Sequence, residues 1–154
     1  EEDIKLAEDI KKNNSVIVHI RRGDYVNNPI AFKNHGVCSL EYYKEAFKEI
    51  KKTNKDVLFY IFSDDIDWCR KNIIPLFSEN DKYIFVCGRK QETDLWLMSC
   101  GKSHIIANSS FSWWGAFLAI HPEQKVIAPE PWFDIKQKYT RDPALDNWNR
   151  IKKY

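Results

Sequence analysis

Five short runs of β-branched and aromatic residues recur along this chain, and a stretch with helical spacing separates each from the next. The runs are Ser15 to Ile20 (SVIVHI), Val57 to Phe62 (VLFYIF), Tyr83 to Cys87 (YIFVC), His104 to Ala107 (HIIA) and Lys125 to Ala128 (KVIA). They are continuously apolar where a half-exposed strand would alternate. A strand of that kind is covered on both faces, as in a parallel sheet whose crossovers are helices. The predicted fold is therefore α/β, a Rossmann-like parallel sheet of about five strands with helices on both faces. The 154 residues suffice for one domain with a real core.

The helical stretches carry their own punctuation. Ser39 can cap a helix running to about Lys52, with Leu40, Tyr43, Phe47 and Ile50 near one face. Ser63-Asp64-Asp65 is a helix start, and Pro75 ends or bends that helix. Thr93 to Cys100 reads as a short helix closed by Gly101, and Ser109 or Ser110 caps a helix through about Ile120. Gly23, Pro29 and Gly36 mark Arg21 to Val37 as a loop, and the Pro-, Trp- and Lys-rich tail from Pro129 is expected to wrap the surface.

Ligands of such sheets bind beyond the carboxyl ends of the strands. The polar residues of interest lie there. Arg21, Arg22 and Asp24 follow the first run, Ser63 to Asp65 the second, and Asn108 to Ser110 the fourth. Two adjacent arginines at the end of a buried strand are costly without an anion, and guanidinium offers a planar fork that fits phosphate. Gly23 would permit close backbone approach. The competing reading is a solvated loop start with an Arg22–Asp24 pair, and spacing alone leaves both open. Small hydroxyl residues opening a helix directly after a strand, as in Asn108-Ser109-Ser110-Phe111, make an anion site from backbone N–H groups and the helix dipole. An ordinary helix cap is the alternative. Two adjacent tryptophans, Trp113 and Trp114, cannot both face one core.

Several signals are set aside. Asp65-Ile66-Asp67 spells D-x-D but sits in a helix's first turn, so no metal site is assigned. Arg22-Gly23-Asp24 is a short adhesion tripeptide that would need an exposed, mobile tip. Asn108-Ser109-Ser110 matches a glycosylation sequon but follows a buried strand. His104 opens a strand and reads as structural. The net charge of +2, with Lys and Arg spread among Asp and Glu, gives no nucleic-acid stripe. Cys38, Cys69, Cys87 and Cys100 form no C-x-x-C pair and read as reduced thiols. With the Lys- and Asn-rich composition, they point to a bacterial cytoplasm. No apolar run approaches the ~20 residues that span a bilayer.

Taken together, HIRRGDY (19–25), FSDDIDWC (62–69) and DLWLMSCGKSHIIANSSFSWWGAFLA (94–119) resemble the α-1,2-fucosyltransferases of glycosyltransferase family 11. The resemblance covers roughly Ser15 to Phe133 and returns at Asp142-Pro143, Trp148 and Ile151. It implies a two-domain GT-B enzyme whose carboxyl-terminal half binds GDP-fucose and whose amino-terminal half serves the acceptor. In relatives the HxRRGDY motif lies near the middle of the polypeptide, and here it begins at His19. The expectation is a GDP-fucose-binding domain spanning 1–154, without the acceptor-side domain. The galactoside acceptor would then depend on that other half, and a free donor half would expose an apolar face that favours self-association.

The resemblance also implies residue roles. Arg21 would bind the β-phosphate and be catalytic, with His19 beside the nucleotide and Arg22 and Asp24 shaping the loop. Asp94 falls near a guanine-binding carboxylate of more distant fucosyltransferases, and Ser109, Ser110 and Phe111 would line the diphosphate and base. Ser63, Asp64 and Asn108 complete the candidate substrate-binding set, and no cofactor is implied beyond the donor itself. The expected reaction is metal-independent transfer with inversion, to give an α-1,2 linkage. The alternatives are an α-1,6 or peptide O-fucosyltransferase, or a carbohydrate-binding module that takes sugar independently of GDP.

Overall fold

In the computed structural model, which describes residues 1–134 and 142–154, the chain forms one six-stranded sheet in which every paired strand is parallel. Its strands are β1 (Ser15–Ile20), β2 (Leu58–Ser63), β3 (Lys82–Val86), β4 (Ser103–Ile105), β5 (Lys125–Glu130) and β6 (Asn149–Lys152), in spatial order β3-β2-β1-β4-β5-β6. This is the doubly wound order in which the chain first builds outward from β1 to β3 and then crosses back to start again at β4. The switch point lies between β1 and β4, which pair through Val16–Ser103, Ile17–His104 and Val18–Ile105.

The alternation of β1 distributes the layers. Val16, Val18 and Ile20 share a core with α4 (Leu40–Thr53) and α5 (Ile66–Asn72), contributed by Tyr43, Ala46, Phe47, Ile50 and Cys69. Ile17 faces the opposite side, against Ala7 and Ile10 of α1 (Glu2–Lys12) and Leu97 and Met98 of α6 (Gln91–Ser99). On that side α7 (Ser110–Phe117) places Ala116 on Ile106, Val126 and Ala128. All six residues of β1 are buried, as a central strand requires.

Helix α4 starts as predicted, with the Ser39 side chain accepting a hydrogen bond from the Tyr42 N–H at 3.2 Å. Its inner face is Tyr42, Tyr43, Ala46, Phe47 and Ile50, whereas Leu40 is exposed. The Tyr42 hydroxyl reaches the carbonyls of Ile106 and Ile127, at 2.6 and 3.2 Å, and so ties this layer to β5 and the end of β4.

Three local readings change. The segment after β1 is not a loop: it holds α2 (Gly23–Asn27) and α3 (Pro29–His35). The residues that suggested breaks sit at helix boundaries. Pro29 occupies the first turn, where its missing N–H costs nothing, and Asn28 caps the Ile30 and Ala31 N–H groups at 2.9 and 3.2 Å. Gly36 ends the helix at φ 60°, where Gly is favoured. The sheet also has a sixth strand. Asn149–Lys152 (NRIK) holds one apolar residue among polar ones, as an edge strand does, so hydrophobic periodicity passes over it. The expected surface wrap of the tail therefore fails over β6, and residues 135–141 lie outside the described residues. Finally, α7 stops at Phe117, and Ile120 beyond it is 98% exposed.

Cys38, Cys69, Cys87 and Cys100 are all free thiols, and burial pushes Cys38 up to about 12 and Cys69 up to about 11. Among the described residues no helix is long and apolar enough to cross a membrane. Trp113 sends its indole N–H to the Pro143 carbonyl at 2.8 Å while Trp114 is half exposed, so the two do face different ways.

Two histidines lie inside the sheet. His104 is fully buried, with Nε2 at 2.9 Å from the Met98 carbonyl and Nδ1 at 3.2 Å from the Gln124 amide. This is the structural role read from its position. Burial lowers its pKa to about 4, and burial followed by the charge of Arg21 lowers that of His19 to about 3. Both are neutral in the native state, whereas the unfolded chain protonates them near 6.5. Below that pH the unfolded state binds protons that the native state refuses. Stability should therefore fall as the pH drops from 6.5 toward 4, with a limiting slope of about 1.4 kcal/mol per pH unit for each histidine. Urea unfolding at pH 7, 6 and 5 measures this, with a shallower slope for His104→Gln; equal slopes would contradict it.

Gly101 gives a second prediction. A Cβ there would run into the Ile17 side chain, inside the α1–α6 layer. Gly101→Ala should cost about 1–3 kcal/mol through overpacking, and an unchanged urea midpoint would show that Ile17 has room to move.

Candidate functional site

A cavity of about 380 Å³ opens at the carboxyl ends of β1, β2 and β4, astride the switch point. It is lined by His19, Arg21, Asp24 and Tyr25 after or within β1, and by Phe62, Ser63 and Asp64 at β2. Gln91 and Asp94 of α6 and Ser109, Ser110 and Phe111 at the start of α7 complete the wall. These residues meet because parallel strands deliver all their carboxyl ends to one edge of the sheet.

Arg21 is fixed by two carboxylates. Its Nη2 lies 2.7 Å from Asp24 Oδ1 and its Nη1 lies 3.2 Å from Asp64 Oδ2. Its guanidinium carbon also sits 5.5 Å from the Tyr25 ring centroid. Two acceptors do not exhaust the five N–H donors of a guanidinium, so a held fork still has donors for a ligand. Asp64 is pinned in turn by the Arg22 backbone N–H at 2.9 Å. Gly23 makes room for it: a Cβ at that position would lie 2.6 Å from Asp64 Oδ2. The glycine in the motif thus serves the close approach of β2's carboxylate to β1's loop.

His19 lies beside Arg21 and is 4% exposed. Its Nδ1 has no hydrogen-bond partner, and its ring packs against Phe111 at 5.5 Å between centroids. A neutral, unpartnered imidazole on a pocket wall is a polar group that a ligand can satisfy. Asp94 offers the same on the α6 side. Its Oδ1 is buried without a partner, and desolvation raises its pKa against the pull of Arg89. At α7, Ser109 occupies the N-cap position but its hydroxyl makes no cap bond, so the first-turn N–H groups are not closed off by that side chain. Ser112 instead turns its hydroxyl toward the carbonyls of Ala107 and Ser109, both at 3.2 Å.

The structure brings the sequence-predicted site residues together except Arg22 and Asn108. Arg22 turns away: its guanidinium carbon sits 3.8 Å from the Trp68 ring centroid and its Nε 3.4 Å from Asp65. Asp24 pairs with Arg21, not with Arg22. The Arg22-Gly23-Asp24 tripeptide is therefore the start of a helix anchored on both sides, not a mobile tip. Asp65 of the D-x-D caps α5, accepting from the Trp68 N–H at 3.1 Å.

Asn108 is 1% exposed and braces the wall from behind. Its side-chain amide donates to the His35 and Trp132 carbonyls at 2.7 and 3.2 Å, and its backbone carbonyl accepts from the Tyr25 hydroxyl at 3.3 Å. Its burial leaves the sequon without an accessible acceptor nitrogen. Behind Tyr25 the His35 ring stacks at 4.8 Å, and the wholly buried Lys153 donates to the same His35 carbonyl at 2.7 Å and to Asp134.

Sequence reasoning gave no role to Tyr25, Phe62 or Gln91. Phe62 had been absorbed into a strand, and Tyr25 into a loop that proved helical. Gln91 lay two residues before the helix start inferred at Thr93, and the helix in fact begins at Gln91.

The sequence model of the family Glycosyl transferase family 11 matches residues 3–152. An α-1,2-colitosyltransferase of Escherichia coli is 48% identical over 149 residues, which are 97% of this chain and 51% of that protein. The O-antigen biosynthesis glycosyltransferase WbnK of Escherichia coli is 39% identical over 140 residues, 88% of this chain and 44% of that one. The galactoside 2-alpha-L-fucosyltransferase SEC1 of Bos taurus is 29% identical over 106 residues, 66% of this chain and 28% of its own. The chain thus spans about half the length of the two bacterial relatives. With a match along nearly its whole length, and with the motifs HIRRGDY and NSSFSWWGA meeting at one pocket, this chain belongs to glycosyl transferase family 11.

Proposed function

We propose that this chain is the donor-binding part of a metal-independent, inverting α-1,2-glycosyltransferase, and that the pocket at the switch point holds GDP-fucose or a close analogue of it. The observation that carries this reading is Arg21, held by Asp24 and Asp64 at the pocket wall opposite an uncapped helix N-terminus. That pairing suits a diphosphate.

Electrostatics orient the donor. Among the described lining residues Arg21 is the only cation, against Asp24, Asp64 and Asp94. A diphosphate in this pocket is favoured only near the Arg21 donors and the α7 N-terminus, away from Asp94. On this reading the phosphates lie between β1 and α7 and the base lies toward α6. When the sugar leaves, negative charge grows on the β-phosphate oxygen. A guanidinium already fixed there stabilises that charge more than the ground state, without reorganising. His19 stays neutral in this role, since its pKa of about 3 keeps it uncharged through the working range. It offers the ligand a hydrogen bond without a second cation. Inversion requires the acceptor hydroxyl of a galactoside to attack the anomeric carbon from the face opposite the diphosphate. On this reading the acceptor approaches at the open mouth of the pocket and draws on protein surface beyond these 154 residues.

A second donor is favoured by one observation. A relative that is 48% identical is an α-1,2-colitosyltransferase, whereas mammalian relatives named for fucosyl transfer are 29% and 32% identical. Colitose is fucose without its 3-hydroxyl, so the two sugars differ by one hydroxyl, and the proposed pocket would take either as its GDP conjugate.

Calorimetric titration with EDTA present tests both. Wild type should bind GDP, and folded Arg21→Ala should bind it roughly 10- to 100-fold more weakly, the size of a charge-assisted hydrogen bond. Absence of GDP binding by folded wild type would overturn the donor-site reading, and equal binding by Arg21→Ala would overturn the role of Arg21. Titration of GDP-fucose against GDP-colitose then ranks the two donors. Sugar binding that ignores GDP altogether would favour a carbohydrate-binding module instead.

A further inference from the structure

Gln91 lines the pocket on the same helix as Asp94, three residues earlier. On a helix, residues three apart stand side by side, roughly 5–6 Å between their Cβ atoms. That spacing is comparable to the width of a purine's hydrogen-bonding edge. The two side chains offer complementary chemistry. Asp94 presents a carboxylate, and its buried Oδ1 has no protein donor. Gln91 presents an amide whose NH2 can donate.

A carboxylate in that setting calls for ligand N–H groups, and two adjacent ones satisfy it best. Among the common bases only guanine presents two neighbouring donors, N1–H and the 2-amino group, beside a carbonyl acceptor at position 6. Uracil offers one donor between two acceptors. Adenine offers an amino donor beside an acceptor nitrogen, which would meet the carboxylate lone pair to lone pair. With N1–H and the 2-amino group on the carboxylate, the 6-oxo group lies beside that contact, where a donor on the same helix can reach it.

We propose that Gln91 is a specificity-determining residue for the nucleobase, donating its side-chain amide to the 6-oxo group of the guanine whose N1–H and 2-amino groups meet Asp94. This deepens the donor-site reading and rests on it. The pair divides the edge between an acceptor and a donor. Asp94 accepts from two donors, and Gln91 supplies the one donor that the base's carbonyl lacks. A buried carboxylate that meets an imperfect partner is left desolvated and unpaired, so the pair rejects wrong bases more strongly than it favours the right one. Glu in place of Gln91 would set a second carboxylate against the carbonyl oxygen and repel it.

Calorimetric titrations of the whole chain with GDP, 6-thio-GDP and IDP separate the contacts. The thio analogue keeps both N–H donors and replaces only the 6-oxygen by a weak acceptor, while IDP keeps the oxygen and lacks the 2-amino group. Wild type should prefer GDP over 6-thio-GDP by roughly fivefold, the size of one neutral hydrogen bond. In folded Gln91→Ala that preference should collapse to near unity while the preference for GDP over IDP persists. In Asp94→Asn the preference over IDP should shrink instead. Gln91→Glu should bind GDP more weakly than Gln91→Ala does. A preference over 6-thio-GDP that survives intact in Gln91→Ala overturns the role of Gln91, even where GDP binds well. Failure of wild type to bind GDP overturns the donor-site reading itself. Loss of fold alone cannot mimic the expected result, because the readout is a ratio between ligands on one variant.

Discussion

The reversal of strand order between β1 and β4 is the constraint on which everything else in this protein rests. Parallel strands on either side of that reversal send their crossovers away from each other, and the loops at their carboxyl ends part to leave a crevice. Here β1 delivers His19 and Arg21 to one lip of it and the end of β4 delivers Ser109 and Ser110 to the other. The burial that drives the sheet together is thus the same burial that aligns the site. Val16, Ile17 and Val18 are wholly buried, and the residues immediately after them have little freedom in where they point.

Within the crevice the charges are arranged economically. Arg21 carries the positive charge and is held between Asp24 and Asp64, and Gly23 gives Asp64 the space to reach it. His19, which could have been a second cation, is forced neutral by burial and by Arg21 itself. Asp94 stands apart with a buried oxygen that lacks a donor. This separation of a fixed cation from an unsatisfied carboxylate gives the cavity a direction, one end suited to phosphate and the other to N–H donors.

Most of this was legible in the sequence, for identifiable reasons. Central strands such as SVIVHI are buried on both faces, so they announce themselves as continuous apolar runs, and the polar residues that follow them mark the binding edge. An edge strand need not carry that signature: β3, at one edge, keeps the apolar run Tyr83 to Val86, whereas β6, at the other, does not. Asn149–Lys152 carries Arg150 and Lys152 in place of apolar residues, and it escaped notice. Gly23 and Pro29 were read as breaks because glycine and proline usually are; at the first turn of a helix they are not. The same ambiguity of one or two residues at a helix start hid Gln91. Which arginine faces the pocket was a matter of packing. Trp68 and Asp65 take Arg22 away, and nothing in the adjacency of two arginines could say which one would go.

The central claim is that the diphosphate of a guanine nucleotide-sugar binds between Arg21 and the start of α7. Amide and guanidinium resonances of the isotope-labelled protein, followed by NMR as GDP is added, test it most directly. The account predicts that the Arg21 side chain and the backbone N–H groups of Ser110 and Phe111 shift together, saturating at one affinity, with Asp94 and its neighbours moving in step. Shifts that leave Arg21 and the first turn of α7 untouched while GDP binds elsewhere on the surface would contradict it.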